Sequence, residues 1–68
     1  MNENKPNRTV EKIKKLIDIG LSKTKIARRL GVSDTTISYA YKYGKQISSV
    51  YEEELDYMIQ EIIDILEA

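Results

Sequence analysis

The sequence predicts a small all-α domain of four helices, at about residues 10–19, 23–30, 34–43 and 50–66, the last long and amphipathic. Three observations predict it. Apolar residues recur at spacings of three and four through most of the chain. Glycines at positions 20, 31 and 44 fall where the first three stripes stop. A threonine or a serine stands just ahead of each stripe, where a helix takes its cap.

Thr9 is the expected N-cap of the first helix, with Glu11 in the first turn, where an acid favours the helix dipole. Val10, Ile13, Leu16 and Ile17 form its stripe and Gly20 its stop. Residues 1–8 are polar and read as a flexible arm. Ser22 caps the second helix, KTKIARRL, in which Ile26, Ala27 and Leu30 share one face. Gly31 and Val32 follow, and Ser33 caps the third helix.

That third segment contains ISYAYKY, with tyrosines at 39, 41 and 43. Alternation of this kind is a strand signal. A strand here has no evident partner in the chain, and an isolated strand is not stable. Wound as a helix at about 100° per residue, Ile37, Ala40 and Tyr41 gather on one face. Thr35, Ser38, Tyr39 and Lys42 gather on the other. The helix gives each tyrosine a separate role and is the better reading. In the last helix, Ser49 with Glu52 matches a capping box. Residues 51, 55, 58, 62 and 65 step by four and three, as a coiled-coil seam does.

Sixty-eight residues make one domain. A chain this short leaves about 40% of its unfolded surface exposed, so a second subunit is a natural source of buried area. Cysteine and histidine are both absent, which excludes disulfides and thiolate or imidazole metal sites. No apolar run approaches a membrane span. The polar start MNENKPNR does not resemble a secretory signal, so a cytoplasmic protein is expected. Net charge is zero, but its distribution is uneven. All eleven Lys and Arg lie in residues 1–45 with four acids, and residues 46–68 carry seven acids and no base. A basic surface for a polyanion beside an acidic part turned elsewhere fits that pattern. Two solvated helical faces fit it as well.

Leu30-Gly31-Val32-Ser33 joins two helices by a tight glycine turn, which is the helix-turn-helix pattern. Ala27 is small where the two helices must approach, and Ile26, Leu30, Val32 and Ile37 supply a shared core. The stretch LSKTKIARRLGVSDTTISYAYKYGK, residues 21–45, resembles the helix-turn-helix of the Cro/lambda-repressor-like family of phage and plasmid regulators. The resemblance implies an all-α DNA-binding domain, usually dimeric, that represses at an operator. Ala40-Tyr41-Lys42-Tyr43 before Gly44 departs from the family pattern and is one residue longer. Gly20, Ser22, Ile26 and Ala27 are also similar to the DNA-binding tail of serine recombinases, though these 68 residues hold no recombinase catalytic domain.

A recognition helix enters the major groove with its N-terminal part toward the bases. The base-contact candidates are Ser33, Thr35, Ser38, Tyr39 and Lys42. Asp34 can accept from a cytosine, but an acid in a first turn is better explained by the helix dipole. No Arg, Asn or Gln stands on this face, so DNA shape should assist a modest direct readout. Lys23, Thr24, Lys25, Arg28 and Lys45 are the phosphate candidates. Lys5 and Arg8 can form a minor-groove arm, although simple disorder explains them too. Arg29 leans inward and covers the core with its stem, and Lys12, Lys14 and Lys15 read as a solvated face.

The last helix is the expected dimer element, through Tyr51, Leu55, Met58, Ile59, Ile62, Ile63, Ile65 and Leu66. Closing the monomer core is its other possible use. The expected partners are double-stranded DNA and a second copy, with no membrane, cofactor, metal or small-molecule substrate. An enzyme is not expected, because no nucleophile–base pair is visible. The alternatives kept open are an accessory factor for recombination or plasmid maintenance, and a protein-binding module that docks through the last helix.

Overall fold

Residues 8–67 are described by a computed structural model. Four α-helices follow in order: α1 (Thr9–Asp18), α2 (Lys23–Leu30), α3 (Asp34–Tyr43) and α4 (Glu52–Glu67), with one 3-10 turn (Ser49–Tyr51) leading into α4. The expected all-α class holds, and there is no strand among the described residues. The arm expected at residues 1–8 lies outside the described residues except for Arg8.

α1 lies between α3 and α4, and α2 packs on α3. One core joins all four helices: Ile13 and Leu16 from α1, Ile26, Ala27 and Leu30 from α2, Ile37 and Ala40 from α3, Leu55 and Met58 from α4. Every apolar position expected to face inward on α2 does so. On α3 the inward face is narrower than expected. Ile37 and Ala40 are fully buried, while Tyr41 is half-buried and turns its hydroxyl to Asp18 Oδ1 at 3.3 Å.

Helix ends explain the boundaries. Ser22 and Ser33 cap α2 and α3, each accepting from the backbone N–H three residues on. After α1, Gly20 N–H donates to Ile17 O and Leu21 N–H to Leu16 O, the paired bonds of a Schellman cap. The same pairing follows α2, where Gly31 N–H reaches Arg28 O and Val32 N–H reaches Ala27 O. Gly31 has a φ of +75°, in the left-handed region. That is what lets three residues reverse the chain between α2 and α3. Gly44, also left-handed at φ +69°, ends α3 with its N–H bonded to Ala40 O, so Ala40–Tyr43 stays helical to its last residue.

Two expected caps are corrected. Thr9 is not an N-cap. It is the first residue of α1, fully buried, with its hydroxyl 3.4 Å from the Ile47 carbonyl oxygen. A side chain committed inward to the 46–47 loop is not available to cap its own helix. The Ser49–Glu52 capping box does not form either. Ser48 Oγ accepts from Val50 N–H, and Glu52 reaches across to Arg8 N–H at 3.0 Å. A carboxylate gains more there, at the positive end of α1 and beside Lys12, than from a reciprocal cap on its own helix.

Three substitutions test this account by thermal or denaturant unfolding. A Cβ at Gly31 would meet nothing within 4 Å. Gly31→Ala should therefore lose only the left-handed backbone preference, about 1–2 kcal/mol. Leu55→Ala, in the sealed core, should cost about 2–5 kcal/mol. Leu66→Ala, at the exposed end of α4, should stay within about 0.5 kcal/mol.

Candidate nucleic-acid interface

The short connection at Gly31 presents α3 with its outer side to solvent. Thr35, Tyr39 and Lys42 are exposed along that side and Ser38 is half-buried beside them. These four expected base contacts therefore share one accessible face. Ser33 stands apart from them. Its Oγ accepts from Thr36 N–H at 3.2 Å and lies 2.9 Å from Thr36 Oγ1, so it is occupied as a cap.

The expected phosphate contacts divide similarly. Lys25 and Arg28 are exposed on α2, and neither makes an ion pair among the described residues. Lys45, just beyond α3, is exposed, with its ammonium 5.9 Å from the centre of the Tyr39 ring. Lys23 is half-buried and sits 5.4 Å over the Tyr41 ring, a cation–π contact that holds it at the start of α2. Thr24 is spent. Its hydroxyl donates to Asp34 Oδ2 at 2.9 Å and ties the start of α2 to the start of α3. That bond also gives Asp34 a structural task beyond its place near the helix dipole.

Tyr43, at the end of α3, packs edge-on against Tyr39 with ring centres 5.7 Å apart. Below Tyr39, a depression of about 200 Å³ is lined by Thr35, Thr36, Tyr39, Lys45, Gln46 and Ile47. Thr36, Gln46 and Ile47 were not expected there. Thr36 comes from α3 itself, and Gln46 and Ile47 from the loop after α3 folding back, which no local periodicity announces.

Four of the seven acids in residues 46–68 are paired with cations of α1 and α2. Arg29 donates from Nη1 and Nη2 to the two Glu61 oxygens, at 3.2 and 2.7 Å, and from Nε to Glu54 at 2.6 Å. Lys12 lies 2.8 Å from Asp56 and 3.2 Å from Glu52. Arg29 does more than cover the core, and Lys12 is not simply solvated. Both are clamps that hold α4. The Glu61 hydrogen bonds, and then those to Glu54, raise the Arg29 pKa above its ordinary value. The bond to Asp56, and then that to Glu52, raises that of Lys12. Glu52 is lowered, first by the Arg8 N–H and then by Lys12, and Glu61 is lowered by Arg29.

α4 also corrects the expected dimer set. Leu55 and Met58 fill the monomer's own core and leave nothing for a partner. Tyr51, Ile59 and Ile62 pack half-buried against that core. Ile63, Ile65 and Leu66 are exposed. Between α2 and α4 runs a groove of about 500 Å³ with Leu21, Met58, Ile62 and Ile65 along it and Lys25, Arg28, Arg29 and Glu61 at its rim.

Among the described residues, no group of acids is placed to hold a metal ion, and no helix is long and apolar enough to cross a membrane. No family model, curated protein or solved structure matches the chain.

The clamps set a pH dependence. Glu52 and Glu61 have lower pKa values folded than unfolded. Their contribution to stability is complete above the ordinary glutamate value of about 4.3, and it is lost as pH falls through the folded values. Melting temperature should hold from neutral pH to near that value and then decline. Glu61→Gln should lie below the native chain at pH 7, and the gap should close near pH 3. A gap that stays constant with pH would remove the clamp from the account.

Proposed function

We propose that this chain is a sequence-specific double-stranded DNA-binding protein that acts as a dimeric transcriptional repressor by occluding an operator. One observation carries the reading. α3 is held by a three-residue turn on α2 with Thr35, Ser38, Tyr39 and Lys42 on one open side. Lys25 and Arg28 on α2 and Lys45 just beyond α3 are exposed, with no acid paired to them among the described residues. A helix-turn-helix reads the major groove with such a face and anchors on phosphates with such cations. The resemblance of residues 21–45 to Cro/lambda-repressor-like regulators supports the same reading.

The division of labour follows from chemistry. Lys25, Arg28 and Lys45 fix the register on the backbone. Thr35 and Ser38 exchange hydrogen bonds with base edges, and the Thr35 methyl packs on thymine. Lys42 reaches guanine or a phosphate, and the Tyr39 ring rests on sugar. Thr24 and Ser33 build the scaffold and do not touch DNA. The α4 carboxylates held by Lys12 and Arg29 repel a duplex less than unpaired acids would. A cytoplasmic location and the absence of catalysis belong to this reading.

Selection from a random duplex pool at about 0.15 M salt tests it. The expected product is an inverted repeat with half-sites about one helical turn apart. On that site, Arg28→Ala should weaken binding to all sequences alike and reduce the salt slope by about one. Thr35→Ala should relax one base position in each half-site by about 1 kcal/mol. Recovery of no enriched sequence would overturn the proposal, and a tandem or asymmetric site would favour a recombination factor.

A further inference from the structure

The groove between α2 and α4 is left open by the packing of the core. Its floor is apolar. Met58 is sealed into the core beneath it, Leu21 and Ile62 are half-buried, and Ile65 is 73% exposed. From Met58 to Ile65 the floor follows α4 for about 10 Å, two turns. Its volume of about 500 Å³ falls within the roughly 300–1,000 Å³ of small-molecule sites, which combine an apolar lining with a few placed polar groups.

The polar groups at the rim have a net sign. Glu61 is held by Arg29, and Arg29 also holds Glu54. Lys25 and Arg28 stand three apart on α2, which puts their Cβ atoms about 5–6 Å from each other on one side of that helix. Both are exposed, and neither has an ion pair among the described residues. The groove thus joins an apolar trough to two cations at one edge. A compact anion on an apolar tail is complementary to that arrangement. Larger anionic partners are not. Asp64 and Glu67, which flank Ile65 and Leu66 in sequence, make no ion pair among the described residues. An acidic helix or an anionic bilayer laid along α4 would meet them, whereas a single headgroup stays at α2.

We infer that this groove binds a free amphipathic carboxylate, its chain against Leu21, Met58, Ile62 and Ile65 and its headgroup at Lys25 and Arg28. The Arg28 guanidinium offers the paired N–H donors that a carboxylate takes in bidentate fashion, and the Lys25 ammonium adds a point charge beside it. Burial of the chain supplies most of the affinity, because an exposed ion pair contributes little. Charge supplies the selection against neutral and cationic amphiphiles. Lys25 and Arg28 are also phosphate contacts in the DNA-binding reading. A carboxylate and a phosphate cannot occupy them together, so the ligand releases the duplex. That consequence rests on the operator reading above, and the site itself does not.

Titration of the full chain with decanoate, kept below its micelle concentration and followed by methyl NMR, tests the site. Saturable shifts are expected at Leu21, Met58, Ile62 and Ile65, with a dissociation constant of about 0.1–1 mM. Decyltrimethylammonium, with the same chain and the opposite charge, should bind about tenfold more weakly or less. Ile65→Glu, at an exposed position, should keep the native melting temperature and lose decanoate binding. With decanoate at about ten times its dissociation constant, affinity for the selected duplex should fall about tenfold, and that of Ile65→Glu should not respond. No saturable shift overturns the proposal, and retention on phosphatidylglycerol vesicles in that case assigns the face to a bilayer. Groove shifts that follow protein concentration alone assign it to a second copy. Equal binding of the cationic amphiphile overturns the headgroup assignment, and native binding by Ile65→Glu overturns the groove. Decanoate binding that leaves duplex affinity unchanged overturns the competition. If no duplex is ever selected, the competition falls with the operator reading, and the methyl shifts alone judge the site.

Discussion

The close approach of α2 to α3 is the constraint on which the rest of the molecule depends. Ala27 on α2 and Ala40 on α3 are both buried in the shared core, where overpacking is costly. The turn between the helices has three residues, and it closes because Gly31 takes a backbone conformation that other residues resist. Thr24 and Asp34 then tie the helix starts together. With the pair rigid, Ile37 is driven inward against Ile13 and Leu16, and the opposite side of α3 has nowhere to go but solvent. Exposure of Thr35, Tyr39 and Lys42 is thus a result of how the core is filled.

α4 is positioned by a different means. Its apolar stripe carries a pair of acids on each flank. Glu54 and Glu61, seven apart, face Arg29 on α2, and Glu52 and Asp56, four apart, face Lys12 on α1. Exposed ion pairs contribute little stability one at a time. Placed on both sides of the stripe they act as guide rails, which fix how α4 is rolled about its axis. Charge separation along the sequence thereby becomes charge separation in space. Acids of α4 collect where Lys12 of α1 and Arg29 of α2 meet them.

Much of this was legible in the sequence, and the reasons are local. Ser22, Ser33, Gly31 and Gly44 act within one turn of themselves, so their meaning survives without knowledge of the fold. Ile26, Ala27 and Leu30 report a face by spacing alone. What failed depends on neighbours far along the chain. Thr9 has the chemistry of a cap, but Ile47 lies 38 residues away and claims its hydroxyl. Glu52 has the spacing of a capping box, but Arg8 is 44 residues away and offers a better donor. The Leu55 and Met58 positions fit a dimer seam and a monomer core equally well, and only the presence of α1 beneath them decides. Arg29 was the avoidable miss. Glu54 and Glu61 return to the same side of a helix after seven residues, a signature of a single cation facing both.

The Glu52 bond to the Arg8 amide has a bearing on how the molecule comes into being. It joins the first described residue to the last helix, and Leu55 and Met58 complete the one core cluster of the described residues. A nascent chain that ends before α4 lacks Leu55 and Met58 from its core and the Glu52 bond to Arg8. Contacts that span some forty residues form late, because the loop between them must first be closed. The shared core is therefore complete only after the acidic helix has left the ribosome and closed on α1.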